Sequence, residues 1–126
     1  SDFSAGFCSD AETKAEIAGM FSKGYLMDTH TAVAWHVLRR YRETSGDGTP
    51  AVVVSTASPY KFSDSVLEAL GEQNKSAGTA LLDRLSVKTG TKIPKPLAGL
   101  AGRKVRFDGC VEKTEMENVV DTFLNK

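Results

Sequence analysis

Net charge is the first thing this sequence lacks: 16 Lys and Arg stand against 16 Asp and Glu in 126 residues. A balanced chain carries neither the basic stripe of a nucleic-acid binder nor the polybasic cluster of a membrane anchor. Long apolar runs are also missing. None approaches the ~20 residues that cross a bilayer, and the N-terminus has no basic region followed by an apolar core. Cysteine is scarce: Cys8 and Cys110 lie near opposite ends. They fit neither a metal knuckle nor a disulfide framework, so both are expected as free thiols or small buried hydrophobes. These absences point to a cytoplasmic location, with no nucleic-acid partner and no membrane partner. What is present is an ordinary globular composition, 40% apolar and 25% charged, which excludes disorder and suits one segment spanning 1–126. Ser1 to Phe7 has no initiator Met and no periodic pattern, which reads as a piece excised or processed from a longer protein.

Helix signals punctuate the chain. Ser9 and Asp10 ahead of Glu12 form a capping-box pattern before Ile17, Met20 and Phe21, predicting a helix that ends near Gly24. Tyr25-Leu26-Met27 is short enough for only a brief strand near 25–27. Asp28 and Thr29 then open a second helix through Ala32, Trp35, Val37, Leu38 and Tyr41, stopped by Gly46, Gly48 and Pro50. Its Arg39, Arg40 and Arg42 complement the helix dipole and need no anionic ligand. Ser63-Asp64-Ser65 starts a helix with Val66, Leu67 and Leu70. Ser76 starts another through Leu81, Leu82, Leu85 and Val87 to Gly90, and Ile93 to Pro96 is a connector. Thr114 to Glu117 reads as a capping box before Met116, Val119, Val120, Phe123 and Leu124.

Ala51-Val52-Val53-Val54-Ser55 is β-branched without polar alternation, the pattern of a strand covered on both faces. With a short strand near 104–107, where Val105 and Phe107 alternate with charges, it predicts an α/β chain, mostly helical around one buried strand (51–55). One buried strand is a poor sheet. Its partners are expected upstream, and in this piece the face around Val52 to Val54 is expected to be exposed, re-paired or covered by a neighbouring copy, giving self-association through the incomplete sheet.

Ser55 to Phe62 follows that run, where open α/β folds place ligands. Ser55, Thr56 and Ser58 offer hydroxyls and Lys61 an ammonium, a set suited to a polar or phosphorylated small molecule. The alternative, which composition alone favours, is that the same residues cap turns ahead of a helix begun by Pro59. His30 sits at a helix start. His36, six residues on, falls on another face, so the two are no metal pair. Neither a G-x-G-x-x-G or Walker phosphate loop nor a G-x-S-x-G elbow occurs. Cys8, in an unpatterned segment, is a weak nucleophile candidate.

Tyr25-Leu26-Met27-Asp28-Thr29-His30-Thr31-Ala32-Val33-Ala34 and Ser55-Thr56-Ala57-Ser58-Pro59-Tyr60-Lys61-Phe62 stand in the order and separation found in threonine synthases. The ending, Val105 to Asp108 and Cys110 to Leu124, is similar too, so the chain resembles the C-terminal portion of that family from about Phe7 onward. The resemblance implies a fold type II, tryptophan-synthase-β-like enzyme that uses pyridoxal 5'-phosphate to convert O-phospho-L-homoserine and water to L-threonine and phosphate. It assigns the hydroxyl facing the cofactor's ring nitrogen to Thr56, with Ser55 its neighbour. Lys61, His30 and Ser58 become substrate or structural candidates, Lys61 either meeting substrate phosphate or forming a local ion pair. Thr29 replaces the family's Pro ahead of His30. The Schiff-base lysine and the loop holding the cofactor phosphate belong to the family's N-terminal portion, and Lys61 is in the wrong motif position to replace that lysine. No catalytic residue is therefore expected within this chain, which alone should be inactive. The other readings are a stand-alone binding or regulatory module without catalysis and a related fold type II lyase acting on another amino acid.

Overall fold

The computed structural model describes residues 3–73, 77–106 and 108–125. Capping chemistry sets where the first two helices begin. The Ser9 hydroxyl accepts from the Glu12 backbone N–H at 3.3 Å, and Glu12 accepts from the Ser9 backbone N–H at 2.9 Å, so the expected capping box opens α1, Asp10–Phe21. A turn at Ser22 to Gly24 ends it. Asp28 caps α2, Thr29–Ser45, and Gly46 closes it in the left-handed conformation (φ 70°) that a side chain would strain.

The extended run that follows corrects the α/β expectation. Among the described residues there is no strand at 51–55, at 25–27 or at 104–106, and Phe107 of the third candidate lies outside them. A β-branched run favours extended backbone, but only a ladder of hydrogen-bonded neighbours makes it a strand. No such neighbour exists among the described residues. Val52 and Val54 are 90% and 69% exposed, so exposure is what the isolated run shows. Tyr25 to Met27 instead form a connector whose Met27 is buried between α1 and α2. The described fold is helical.

Beyond the run, a 3₁₀ turn at Pro59–Phe62 leads into α3, Ser63–Ala69. Ser76, the expected start of the next helix, lies outside the described residues, and α4 covers Ala80–Thr89 with Gly90 as its left-handed cap. A short α5, Lys95–Ala98, occupies part of the expected connector. The capping box expected at Thr114 does not form: a 3₁₀ turn covers Lys113–Glu115, and α6, Met116–Leu124, starts without a side-chain cap.

Helix α1 packs on both α2 and α3, and α3 packs on α4. Ile17, Met27, Ala32, Tyr60, Val66, Leu67 and Leu85 form the buried cluster between them, with Met20, Trp35 and Phe62 at its edge. By contrast Met116, Val119, Val120, Phe123 and Leu124 of α6 are all exposed. Among the described residues no helix is long and apolar enough to cross a membrane.

Polar groups join α1 to α2. Glu16 Oε1 accepts from His36 Nδ1 at 3.0 Å and from the Arg39 guanidinium at 2.8 Å. Burial pushes the Glu16 carboxyl up, but the Arg39 and His36 hydrogen bonds together outweigh it and hold it below its usual 4.5. A depressed carboxylate stabilises the fold above its unfolded pKa, and that contribution is lost as pH falls through the lower folded value. Glu16→Gln should therefore lower the urea midpoint at neutral pH, with the gap to wild type narrowing below about pH 4.5. A constant gap across that range would remove Glu16 from the acid response.

Candidate functional site

Helix α2 and the 55–62 loop meet at a buried carboxylate. Asp28 is fully buried and accepts from the His30 backbone N–H at 2.8 Å and the Thr31 N–H at 3.4 Å, which satisfies the free donors of the helix start. Its other oxygen takes the Thr31 hydroxyl proton. Thr31 Oγ1 also lies 3.0 Å from Ser55 Oγ, 24 residues along the chain. A hydroxyl has one proton. That of Thr31 is shared between the Asp28 carboxylate and the Ser55 oxygen, which accepts from it. The buried charge thus fixes the start of the loop through two hydroxyls.

The loop's far end is held differently. Tyr60 is buried, and its hydroxyl donates to the Thr91 carbonyl at 2.7 Å. Ser58 accepts from the Tyr60 N–H at 3.3 Å and so acts as the cap of the 3₁₀ turn, one of the two roles open to it from sequence. Ser63 ties back to the Tyr60 carbonyl at 2.8 Å. Between these anchors Thr56 and Lys61 are exposed, and among the described residues neither side chain has a hydrogen-bond or ion-pair partner.

His30 completes the cluster. Its ring lies 4.8 Å from the Phe62 ring at a 52° tilt, and Nδ1 is 3.3 Å from Asp28 Oδ1. The ring also borders a cleft with Lys14, Thr29 and Ser65. Both sequence blocks therefore converge: His30 and Ser55 share the Asp28–Thr31 support, and Phe62 backs His30. Sequence reading took Asp28 only as a cap and gave Thr31 no role of its own. The signal available was a carboxylate cap two residues before His30 and three before a hydroxyl.

Chemically the loop offers neutral hydroxyls at Ser55 and Thr56 and an exposed ammonium at Lys61. The buried Asp28 carboxylate is engaged by its own helix start, and the group that the exposed Thr56 presents is a neutral hydroxyl. A hydroxyl is a suitable partner for an unprotonated or weakly basic ring nitrogen, and the free Lys61 ammonium suits a phosphate.

Comparison with known proteins gives the arrangement a context. The family described as "Threonine synthase, C-terminal" matches residues 31–122. The chain is 38% identical over 84 residues to the threonine synthase of Corynebacterium glutamicum, covering 64% of this chain and 17% of that protein. It is 40% identical over 72 residues to the threonine synthase of Haemophilus influenzae, covering 57% of this chain and 16% of that protein. To threonine synthase-like 1 of Mus musculus it is 35% identical over 123 residues, covering 91% of this chain and 16% of that protein. The chain thus spans about a sixth of the length of these curated relatives.

Proposed function

Because the chain belongs to the threonine synthase C-terminal family, we propose that it is the C-terminal part of a threonine synthase, a cytoplasmic lyase that converts O-phospho-L-homoserine and water to L-threonine and phosphate with pyridoxal 5'-phosphate. The observation that carries this reading is the convergence of the two family blocks on one buried carboxylate, within the span that the family match covers.

The residues present fit one side of that cofactor. Bound pyridoxal phosphate supplies an electron sink for the substrate's developing negative charge. Thr56, whose hydroxyl is exposed and uncommitted, would hold its ring nitrogen. Ser55 is the support, its oxygen accepting from the Thr31 hydroxyl. A neutral partner leaves the ring nitrogen less protonated than a carboxylate would, which moderates the sink. Lys61, exposed in the same loop, would offer the substrate phosphate a point charge. His30, braced on Phe62 and Asp28, would be the candidate to meet substrate from the helix side. The lysine that bonds the cofactor and the loop for the cofactor phosphate come from the N-terminal portion of the longer enzyme, so this chain alone is inactive.

The test is product analysis. The longer enzyme that contains this chain should release inorganic phosphate and L-threonine in equal amounts from O-phospho-L-homoserine when pyridoxal phosphate is supplied. Turnover of another amino acid in its place, or none, overturns the reading.

A further inference from the structure

A separate cluster lies where the segment before α1 crosses α2. Gly6 sits so close to that helix that a Cβ there would come within 2.9 Å of Val37 Cγ1, so the backbone of this segment is laid against α2. Cys8 follows, half-buried, with the Thr13 hydroxyl 3.3 Å from its sulfur. His36 projects from α2 and is 5% exposed. The Cys8 sulfur, a Glu12 oxygen and a His36 ring nitrogen all lie within 4.8 Å of one another.

The hydrogen bonds around this cluster decide what each group has left to offer. Glu16 is acceptor-only in its carboxylate form, so His36 Nδ1 carries the proton of their 3.0 Å bond. That directs the other ring nitrogen, Nε2, toward Glu12 Oε1 at 3.8 Å. Glu12 Oε2 is engaged by the Ser9 N–H at 2.9 Å and the Ser9 hydroxyl at 2.6 Å, which leaves Oε1 as the oxygen without a capping role. The second ring nitrogen, a carboxylate oxygen and the sulfur of a thiol that donates to the Ser9 carbonyl at 3.6 Å thus face one another, and a cation that displaces any proton on nitrogen or sulfur would satisfy all three. A carboxylate on the remote nitrogen of a histidine is also how metal-binding imidazoles are oriented and made more basic.

The geometry points to a divalent-metal site formed by Cys8, Glu12 and His36, with Glu16 orienting the imidazole. One thiolate, one imidazole and one carboxylate are a zinc-type donor set, with water in the fourth position. Bonds of about 2.0–2.3 Å in a tetrahedron put ligand atoms roughly 3.3–3.8 Å apart, so closure needs movements of about 1 Å or less. Cys8 lies before the helix and Glu12 in its first turn, where side chains can adjust by that much. Thiolate and carboxylate charges balance the ion. Arg40, which lies near Glu12, opposes it and must turn outward into solvent, where it is already exposed.

Cobalt(II) titration of the 126-residue chain, with Zn²⁺ as competitor, tests this. One Co²⁺ per chain should bind, with a thiolate-to-cobalt charge-transfer band in the near ultraviolet that Zn²⁺ displaces. Cys8→Ser should abolish the band and weaken binding at least about tenfold while leaving the metal-free circular dichroism unchanged; Cys110→Ser should alter neither. Glu16→Gln should weaken binding about 10–100-fold and keep the band, as expected of a residue that acts through the imidazole. A band that survives Cys8→Ser, or binding that is non-saturable or insensitive to Cys8→Ser, overturns the site and leaves Glu12 and His36 as a helix-bridging pair.

Discussion

Asp28→Ala is expected to destabilise the chain by about 3 kcal/mol, read as a drop in urea midpoint at unchanged slope. The carboxylate is fully buried and serves two backbone N–H groups and the Thr31 hydroxyl. Losing a helix cap alone costs about 0.5–2 kcal/mol. Leaving the Thr31 donor unpaired in the interior adds about 1–3 kcal/mol, and the two losses overlap because Thr31 shares in both. Asp28→Asn is the informative contrast. Asn caps helices about as well as Asp, and its amide nitrogen can donate to Thr31 Oγ1. The Thr31 proton would then go wholly to Ser55 Oγ, which already accepts from it, and every group stays paired. We expect a cost of about 1 kcal/mol for Asn. Equal losses for Ala and Asn would mean that charge, rather than hydrogen-bond satisfaction, holds the helix start.

Leu67→Ala should cost a similar amount, about 2–5 kcal/mol. Leu67 has no exposed surface and belongs to the buried cluster with Ile17, Tyr60, Val66 and Leu85. Truncation removes contacts that α1 and α4 cannot close over, so the loss combines transfer and cavity contributions. Tyr60 is in the same cluster and anchors the 55–62 loop, so the variant should also loosen that loop, visible as faster amide exchange at Tyr60. Val52→Thr is the counter-case. At 90% exposure the substitution should change stability by no more than about 0.5 kcal/mol. A strand covered on both faces would instead have buried the new hydroxyl, at roughly 1–3 kcal/mol. A large loss at Val52 would reinstate the strand.

What the sequence made legible is what local chemistry controls. Ser9 with Glu12, Asp28 before α2, and Ser58 with Pro59 each place an acceptor where nearby N–H groups need one, so the starts of these elements could be read within a few residues. The run Val52 to Val54 misled because its composition reports a conformational preference, while a strand also needs neighbours the described chain does not provide. Thr114 and Glu117 misled for the opposite reason: the spacing of a capping box is present, but a 3₁₀ turn takes Thr114 and α6 begins two residues later. Within the candidate site, Thr56, Ser55, Ser58, Lys61 and His30 were all named from the family blocks. The different positions of Thr56 and Ser55 were not legible, since they rest on a hydrogen bond across 24 residues. Nor was the approach of Cys8 to His36, which depends on how α1 crosses α2.

The central claim is that the loop after Val54 presents Thr56 to the ring of pyridoxal phosphate in a threonine synthase. Its most direct test is kcat for phosphate release from O-phospho-L-homoserine by the longer enzyme carrying Thr56→Ser or Thr56→Val. The account predicts near wild-type turnover for Ser and a loss of about 10–100-fold for Val, with both variants folded. Turnover by the Val variant equal to wild type would contradict it.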